Sequence, residues 1–392
     1  MRLYIKRREE KKLEKSLRGW VLVYGRRKTG KTTLVINTLK DKIESYFLIA
    51  DQSSAVTLDD KFVGVNEALE ETKRVLKKGG IAVIDEFQRL PESYYSVISN
   101  WSRSGGTLLA LGSSYGIVNK VFDRNSPLLG YFLPFEVNII SYEDVLYQVS
   151  DPVLSVIYRD PWIIRFENSY GEILDKIKEL SLVAKGLIGE VFKEEERYLT
   201  DIYYRILLLL GEGIWKTSEI SGIVQPQGGE ATISSMVNKL YKMGLVRKVP
   251  LISRGYHYGI RSPVLSLILY AESKYLVSER EANVRELPIG REVQFSVGEM
   301  LANYFGSVQY YSEKEDIDVI LVKKRKPIWA FEVKMGEFSR SEAKEAVKRM
   351  AKVAEKAGLI SLKERPEDYG DLSLGPEDLL KIAEELVKKE MD

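Results

Sequence analysis

The chain has 392 residues, enough for about two to four domains with sizeable cores. It contains no cysteine and one histidine, which excludes disulfides and thiolate metal sites and nearly excludes histidine-based metal sites and Ser-His triads. Any metal would then be held by carboxylates, which favours Mg²⁺ or Mn²⁺ over zinc. The formal net charge is only +2, so the whole molecule is not an obvious polyanion binder.

The absence of cysteine fits a reducing cytosol, and the abundance of lysine and glutamate is compatible with a thermophile. The N-terminus is charged and carries no apolar signal segment. The leucine-rich run at residues 206–210 is too short to span a bilayer. We therefore expect a cytoplasmic protein with no membrane association.

Residues 20–33 predict a buried strand, a glycine-rich loop and a helix. This arrangement binds phosphate because glycines let backbone N–H groups turn towards an anion and the helix adds the positive end of its dipole. Lys31 would reach the β- and γ-phosphates, and the Thr32 hydroxyl would hold Mg²⁺. We expect ATP and Mg²⁺ to bind at Gly25, Arg26, Arg27, Lys28, Thr29, Gly30, Lys31, Thr32 and Thr33.

A second motif follows at residues 81–86, where four apolar residues precede two acids. The apolar run is typical of a parallel-sheet strand that is buried on both faces. Asp85 would hold Mg²⁺ through water, and Glu86 would polarise the attacking water. With the phosphate loop, this pattern predicts ATP hydrolysis to ADP.

Other segments are expected to complete an α/β fold with a parallel sheet. Residues 46–50, 107–111 and 135–140 read as strands, and Val65–Lys77 reads as a helix. Ligands of such sheets bind at the carboxyl ends of the strands, where these motifs converge. After the strand at 107–111, Ser113 or Ser114 is the candidate to sense the γ-phosphate, as a polar residue does in P-loop ATPases of the additional-strand type. The alternative is that this Gly-Ser segment only turns the chain.

Residues 141–199 are predicted to be mostly helical, with helices at 143–149, 171–187 and 188–198. Residues 200–275 then predict helices at 202–210, 216–220 and 231–243 and a β-hairpin, which together form a winged helix. No Asp or Glu occurs from residue 231 to 271. We expect DNA binding through Lys239, Lys242, Arg254 and Tyr256, while a winged helix that contacts only protein is the alternative. His257 is expected to decorate the wing.

A last module is predicted from residue 283, with a helix at 290–304 and strands at 316–322 and 328–334. Its spacing of Asp318, Glu332 and Lys334 resembles the core of PD-(D/E)XK nucleases. In that arrangement Asp318 and Glu332 share Mg²⁺ or Mn²⁺, and Lys334 orients or acidifies the attacking water. A glutamate on the preceding helix often completes the site. The family register puts Gln294 there, so Glu292 and Glu299 are offset candidates.

The order GRRKTGKTT, VIDEFQ, ALGSS, SPLLGYFLPFE resembles the archaeal-type ATPases of the AAA+/STAND superclass. This resemblance implies a P-loop ATPase core at 1–140, a helical lid and connector at 141–199, a winged helix at 200–275 and a restriction-endonuclease-like α/β domain at 283–392. The family commonly has an arginine where Tyr131 stands, so Arg124 and Arg159 are the candidate substitutes.

Two functions remain open from the sequence. The first is an Mg²⁺-dependent ATP-hydrolysing protein that binds DNA through its winged helix and uses the nuclease-like domain to cut or grip it. The second is a regulatory switch of the STAND type, with an inactive nuclease-like scaffold and protein partners. A homo-oligomer is open under both.

Overall fold

The computed structural model describes residues 3–113, 115–165, 169–280, 284 and 286–391, and these fall into two compact units. The phosphate-loop unit comprises Arg7–Asn138 and Gly186–Leu199. The second unit comprises Met1–Lys6, Ile139–Lys185 and Thr200–Asp392. These units differ from the expected domain boundaries, because residues 186–199, assigned to the lid and connector, pack with the phosphate-loop core.

The phosphate-loop unit is an α/β structure. Its helices are α1 (Glu9–Ser16), α2 (Lys31–Leu39), α3 (Val65–Lys77), α4 (Ser93–Ser99) and α5 (Gly116–Phe122). Its strands are β1 (Trp20–Tyr24), β2 (Ile43–Ile49), β3 (Ser54–Thr57), β4 (Phe62–Gly64), β5 (Ile81–Asp85), β6 (Thr107–Gly112) and β7 (Phe132–Glu136). Within the described residues these strands form one sheet in the order β4-β3-β2-β5-β6-β1-β7.

The sheet is mostly parallel. β2, β5, β6, β1 and β7 run in one direction, and β3 and β4 extend it in antiparallel pairing beyond β2. β6 lies between β5 and β1, which is the additional-strand arrangement expected from the sequence. Leu22 packs into the hydrophobic cluster on one face of the sheet, and Val21 and Val23 pack into the cluster on the other. Burial on both faces explains the uninterrupted apolar run of β1.

The last strand of the sheet is displaced from its prediction. The sequence favoured residues 135–140, but β7 ends at Glu136. As the end strand of the described sheet, β7 exposes Leu133, so it lacks the apolar run of a central strand. Val137, Ile139 and Ile140 are buried beyond the strand, and this apolar run misled the prediction.

The segment after the sheet is helical, as predicted, but the boundary between two of its helices lies at a different residue from the predicted one. It forms α6 (Tyr142–Val149), α7 (Pro152–Ile157), α8 (Tyr170–Asp175) and α9 (Ile177–Glu194), and α9 belongs to the phosphate-loop unit from residue 186 onward. The sequence predicted a helix boundary between residues 187 and 188. α9 is continuous there, and the break lies at Lys176, between α8 and α9.

The next part of the second unit consists of helices and a hairpin. Its elements are α10 (Asp201–Glu212), α11 (Thr217–Val224), α12 (Gly229–Lys242), β8 (Val246–Pro250), β9 (Tyr256–Ile260) and α13 (Pro263–Tyr275). β8 and β9 pair antiparallel, with Val249 opposite His257. The helices before the hairpin and the hairpin itself follow the predicted order, with helix ends shifted by a few residues.

The C-terminal part of the second unit contains another sheet. Its elements are α14 (Ile289–Phe305), β10 (Val308–Tyr310), β11 (Val319–Lys323), β12 (Lys326–Lys334), α15 (Arg340–Met350), β13 (Lys356–Ser361), β14 (Leu372–Leu374) and α16 (Pro376–Met391). The strand order is β10-β11-β12-β13-β14 within the described part of the chain. β11 and β12 are antiparallel, and α15 connects β12 to its parallel neighbour β13. α15 ends at Met350, and β13 begins at Lys356.

Across the described ranges, every helix is either too short or too polar to cross a bilayer.

Candidate functional site

The loop between β1 and α2 depends on its two glycines. Gly25 has φ +153°, and a Cβ at this position would lie 2.1 Å from the carbonyl oxygen of Val137. Gly30 has φ +88° and precedes the first residue of α2. Both positions therefore favour glycine, one because of close backbone approach and the other because of the left-handed conformation.

Lys31 lies beneath this loop and is 5% exposed. Its Nζ donates to the carbonyl oxygens of Gly25 at 3.0 Å and of Arg26 at 3.1 Å. Burial lowers the pKa of Lys31 to about 8, although Glu86 and Asp85 favour the charged form. A buried ammonium on backbone carbonyls inside a glycine loop fits a polyphosphate ligand.

An N-terminal arginine that the sequence did not single out supports the loop. Arg7 donates from Nη2 to the carbonyl oxygen of Thr29 at 2.6 Å and from Nη1 to that of Asn138 at 3.1 Å. Thr29 is also held by its own hydroxyl, which donates to the carbonyl oxygen of Arg26 at 2.9 Å. Of the other predicted loop residues, Lys28 and Thr33 are exposed.

Asp85 and Thr32 meet at the carboxyl end of β5. The Thr32 hydroxyl donates to Asp85 Oδ2 at 2.6 Å, and the Tyr46 hydroxyl donates to the same oxygen at 2.9 Å. Burial raises the pKa of Asp85 in spite of these hydrogen bonds. A hydroxyl beside a carboxylate is an oxygen donor set that suits Mg²⁺, so both residues fit the predicted metal-binding role.

Glu86 follows with φ +54°, in the left-handed region that is uncommon for a residue with a side chain. Its Oε2 accepts from Gln88 Nε2 at 2.6 Å. Its Oε1 lies 3.4 Å from both Arg27 Nη1 and the Ser113 hydroxyl. Ser113 therefore faces Glu86, while its alternative, Ser114, lies outside the described residues.

The candidates for the missing arginine differ in their surroundings. Arg159 is buried in the second unit, where it donates to the carbonyl oxygen of Ile140 at 3.1 Å and to the Ser296 hydroxyl at 2.9 Å and pairs with Glu299. These contacts make Arg159 part of the packing of its own unit. Arg124 is exposed on the phosphate-loop unit.

The structure brings Asp318 together with Gln294. Asp318 Oδ1 accepts from Gln294 Nε2, and Oδ2 accepts from the backbone N–H of Val333, both at 2.7 Å. Burial raises the pKa of Asp318 to about 7, and the nearby Glu332 adds to this effect. Glu332 pairs with Arg349 at 2.8 Å, and Lys334 pairs with Glu342 at 2.9 Å.

The two offset candidates for this site are engaged elsewhere. Glu292 is fully buried and pairs with Arg247 at 2.9 Å, and it accepts from the Ser266 hydroxyl at 2.7 Å. Glu299 pairs with Arg159. Both expectations are corrected, because α14 turns Gln294, not either glutamate, towards Asp318. The described residues contain no group of three or more His, Cys, Asp or Glu side chains that could hold a metal ion.

The predicted DNA-contacting residues lie on α12 and the hairpin. Lys242, Arg254 and Tyr256 are exposed, and Lys239 is half-buried. Lys248 belongs to the same basic run but was not predicted to contact DNA, and its Nζ lies 4.3 Å from the centre of the Tyr241 ring and 5.5 Å from that of Tyr256. Alternation along the hairpin strands was the signal that would have put Lys248, which pairs with Tyr258, on the same face as Tyr256.

His257 does not decorate the wing. It is buried, with its ring centre 4.3 Å from that of Tyr311, 5.0 Å from that of Trp215 and 5.1 Å from that of Phe295. Burial, with Arg247 and Arg291, lowers its pKa to about 3. His257 is therefore a neutral core residue, and its place in the alternation of β9 fits this inward orientation.

The mostly parallel sheet and the loop around Lys31 define a P-loop nucleotide-binding core. Residues 17–146 match the family model described as an AAA domain. This segment is therefore similar to AAA-family P-loop ATPase domains, a class that binds ATP.

The fold resembles that of a Walker-type ATPase from Pyrococcus abyssi, with a TM-score of 0.51 and 16% identity over 68% of this chain and 96% of that one. An ORC2 protein of Aeropyrum pernix gives a TM-score of 0.37 at 14% identity over 67% of this chain and 91% of the other. A STAND protein with a tetratricopeptide repeat sensor from Pyrococcus horikoshii gives 0.26 at 15% identity, over 77% and 46%. No curated protein matches the chain. The first likeness supports the fold, and the other two are too distant to bear on function.

Proposed function

We propose that this protein is an Mg²⁺-dependent ATPase that binds DNA through α12 and the β8–β9 hairpin. The observation that carries the proposal is the convergence of Lys31, the Thr32–Asp85 pair and Glu86 at the carboxyl ends of β1 and β5. These are the groups that phosphoryl transfer to water needs at one place.

Each residue has a separate task in this proposal. Lys31 would neutralise charge on the β- and γ-phosphates, and Thr32 and Asp85 would hold Mg²⁺, which would stabilise the negative charge that develops on the phosphates. Glu86 accepts a hydrogen bond from the attacking water, and the products are ADP and phosphate. Asp85 Oδ1 itself accepts a hydrogen bond from the backbone N–H of Glu86 at 2.8 Å, so the Asp85 carboxylate is held against the backbone from which Glu86 extends.

Phosphate release by the purified chain tests the ATPase. We expect Glu86→Gln to lower kcat by about 10²-fold or more while ATP still binds, because general-base assistance is lost. Lys31→Ala should abolish binding. Glu67→Gln, at an exposed position of α3, is the matched control and should behave as wild type. Equal turnover of wild type and Glu86→Gln would contradict the proposal.

The DNA proposal is supported by the charge and exposure of the helices and hairpin of residues 200–275. Lys242 on α12 and Arg254 and Tyr256 at the hairpin are exposed, and Lys248 lies among aromatic rings beside them. Three helices followed by a hairpin form the architecture of a winged helix, in which the third helix enters the major groove and the wing contacts phosphates. Lys239, half-buried on α12, is a weaker candidate.

Fluorescence anisotropy with duplex DNA at several salt concentrations tests this proposal. We expect log Kd to depend linearly on log salt, with a slope of about 0.9 per phosphate contact. Lys242→Gln and Arg254→Gln should each reduce the slope by about 0.9. Lys381→Gln, at an exposed position of α16, is the control. The DNA proposal would be refuted if the protein did not bind the duplex, or if its affinity did not change with salt concentration.

We further propose that the sheet β10–β14 is nuclease-like, with Asp318 and Glu332 as the residues that would hold Mg²⁺ or Mn²⁺. Asp318 directly precedes β11, and Glu332 lies on its antiparallel neighbour β12, which supports the proposal. Further support comes from α15, which leads from β12 to the parallel strand β13. The ion pairs of Glu332 with Arg349 and of Lys334 with Glu342 favour the second candidate function instead, a regulatory ATPase switch with an inactive scaffold.

Nicking of supercoiled plasmid with Mg²⁺ or Mn²⁺ separates the two. If the protein is a nuclease, the Asp318→Ala variant should no longer nick the plasmid. If cleavage also requires ATP, the Lys31→Ala variant should lose nicking as well. No nicking by wild type, with ATP hydrolysis intact, would favour the switch.

A further inference from the structure

Arg27 of the phosphate loop is surrounded by carboxylates. Its Nε lies 2.7 Å from Glu190 Oε2, and its Nη1 lies 3.0 Å from Glu194 Oε1 and 3.4 Å from Glu86 Oε1. Glu190 and Glu194 are four residues apart on α9 and therefore lie on the same face of the helix. Both belong to the phosphate-loop unit, although they come long after its other residues in the sequence.

Glu194 also reaches Glu86 by a second route. Its Oε2 accepts from Gln88 Nε2 at 2.8 Å, and the same nitrogen donates to Glu86 Oε2 at 2.6 Å. The end of α9 is thus connected to Glu86 through both Arg27 and Gln88.

The carboxylates around Arg27 outnumber the nearby guanidinium groups, although Arg89 also lies 3.9 Å from Glu86 and from Glu194. Burial lowers the pKa of Arg27, but the carboxylates of Glu86, Glu190 and Glu194 raise it by more, so the guanidinium remains charged. The side chains of Arg27 and Glu190 are 23% and 49% exposed. Ion pairs with this exposure contribute little net free energy, whereas guanidinium–phosphate hydrogen bonds are charge-assisted and bidentate. A phosphate can therefore displace the exposed Glu190 from Arg27, and its second hydrogen bond can replace that of Glu194, whose side chain is 14% exposed.

We propose that Arg27 is the residue by which the site distinguishes ATP from ADP. Without nucleotide it pairs with Glu190 and Glu194, and when ATP binds it transfers to the γ-phosphate. This inference rests on the proposed ATPase function. Its position beside Glu86, which would polarise the attacking water, puts the guanidinium at the γ-phosphate end of the site. Glu190 and Glu194 are positioning residues, because they act through Arg27.

Calorimetric titration of the full chain with a non-hydrolysable ATP analogue and with ADP, both with Mg²⁺, tests the inference. We expect Arg27→Gln to weaken the analogue about tenfold or more and ADP less than about twofold, since only the analogue carries the γ-phosphate. Arg27→Lys should recover part of the loss. The double variant Glu190→Gln/Glu194→Gln should bind the analogue several-fold more tightly, because fewer carboxylates compete for Arg27. Glu196→Gln removes an acid that pairs with Lys120 at 2.8 Å and is the matched control.

The possible results distinguish a failure of this inference from a failure of the proposed ATPase function. If wild type binds both nucleotides and Arg27→Gln weakens both equally, or weakens neither, the inference is overturned, whereas the nucleotide binding that the proposed ATPase requires is retained. If wild type binds neither nucleotide, both are overturned. If a thermal scan shows that Arg27→Gln does not fold, Arg27→Lys and Glu190→Gln/Glu194→Gln test the inference instead. The quantity compared is again the affinity for the ATP analogue relative to the affinity for ADP. An unchanged ratio in both would refute the inference.

Discussion

Gly25 shows how one missing side chain determines the phosphate loop. Because its Cβ would meet the Val137 carbonyl oxygen at 2.1 Å, we expect Gly25→Ala to destabilise the chain by about 2 kcal/mol or more and to weaken ATP binding. Urea unfolding measures the first effect and nucleotide titration the second. Gly64→Ala is the control, since φ there is −70° and a Cβ would meet nothing within 4 Å. Equal stability of the two variants would contradict the steric explanation.

His257 makes the second unit sensitive to acid. Its pKa is lowered from 6.5 to about 3 in the folded chain, so between these values the unfolded chain binds more protons. Stability is therefore complete above about pH 6.5 and falls as the pH drops, by about 1.4 kcal/mol per pH unit from this group.

We expect His257→Phe to remove this dependence. The aromatic neighbours accommodate a ring, and within the described residues Nδ1 of His257 has no hydrogen-bond partner to lose. Between pH 7 and pH 5, wild type should lose about 2 kcal/mol more than His257→Phe in urea unfolding. Parallel loss in the two proteins would show that His257 does not titrate in this way.

At the scale of elements, α9 differs most from its prediction. The sequence placed a boundary beside Gly186 and Gly189, yet both lie within the continuous helix. A Cβ at either position would meet nothing within 4 Å. We expect Gly186→Ala and Gly189→Ala each to stabilise the chain by about 0.5–1 kcal/mol in thermal or urea unfolding, because alanine lowers the entropy of the unfolded chain. Destabilisation would indicate that the helix bends at these glycines.

Sequence patterns predicted the elements that are buried or carry a motif. β1, β5 and β6 are apolar on both faces, and Lys31, Thr32, Asp85 and Glu86 stand at fixed positions relative to them. The patterns failed where burial comes from distant residues. β7 is exposed at the end of the described sheet, Glu292 is buried by its pairing with Arg247, and His257 is enclosed by rings from three other segments. No local periodicity encodes such pairings.

At the scale of the whole molecule, the phosphate-loop unit contains more than the segment that matches the AAA domain. Residues 17–146 omit Leu13, which is fully buried in the core beside β1, and Arg7, which supports the loop. They also omit residues 186–199. We expect a fragment of residues 17–146 to unfold at a lower temperature than a fragment of residues 1–199 in circular dichroism. Equal midpoints would show that the omitted segments contribute nothing to stability.

The return of the chain at residues 186–199 also bears on how the protein is made. When residue 138 has just been synthesised, Glu190 and Glu194 do not yet exist, so Arg27 is made well before these two of its acidic partners. At about 5–20 residues per second, this interval lasts for several seconds. During that interval Glu86 is already available to pair with Arg27, but the carboxylates of α9 cannot yet compete with an anion for the guanidinium. If Arg27 transfers to the γ-phosphate as we propose, ATP would reach the nascent site before the end of α9 can compete for it.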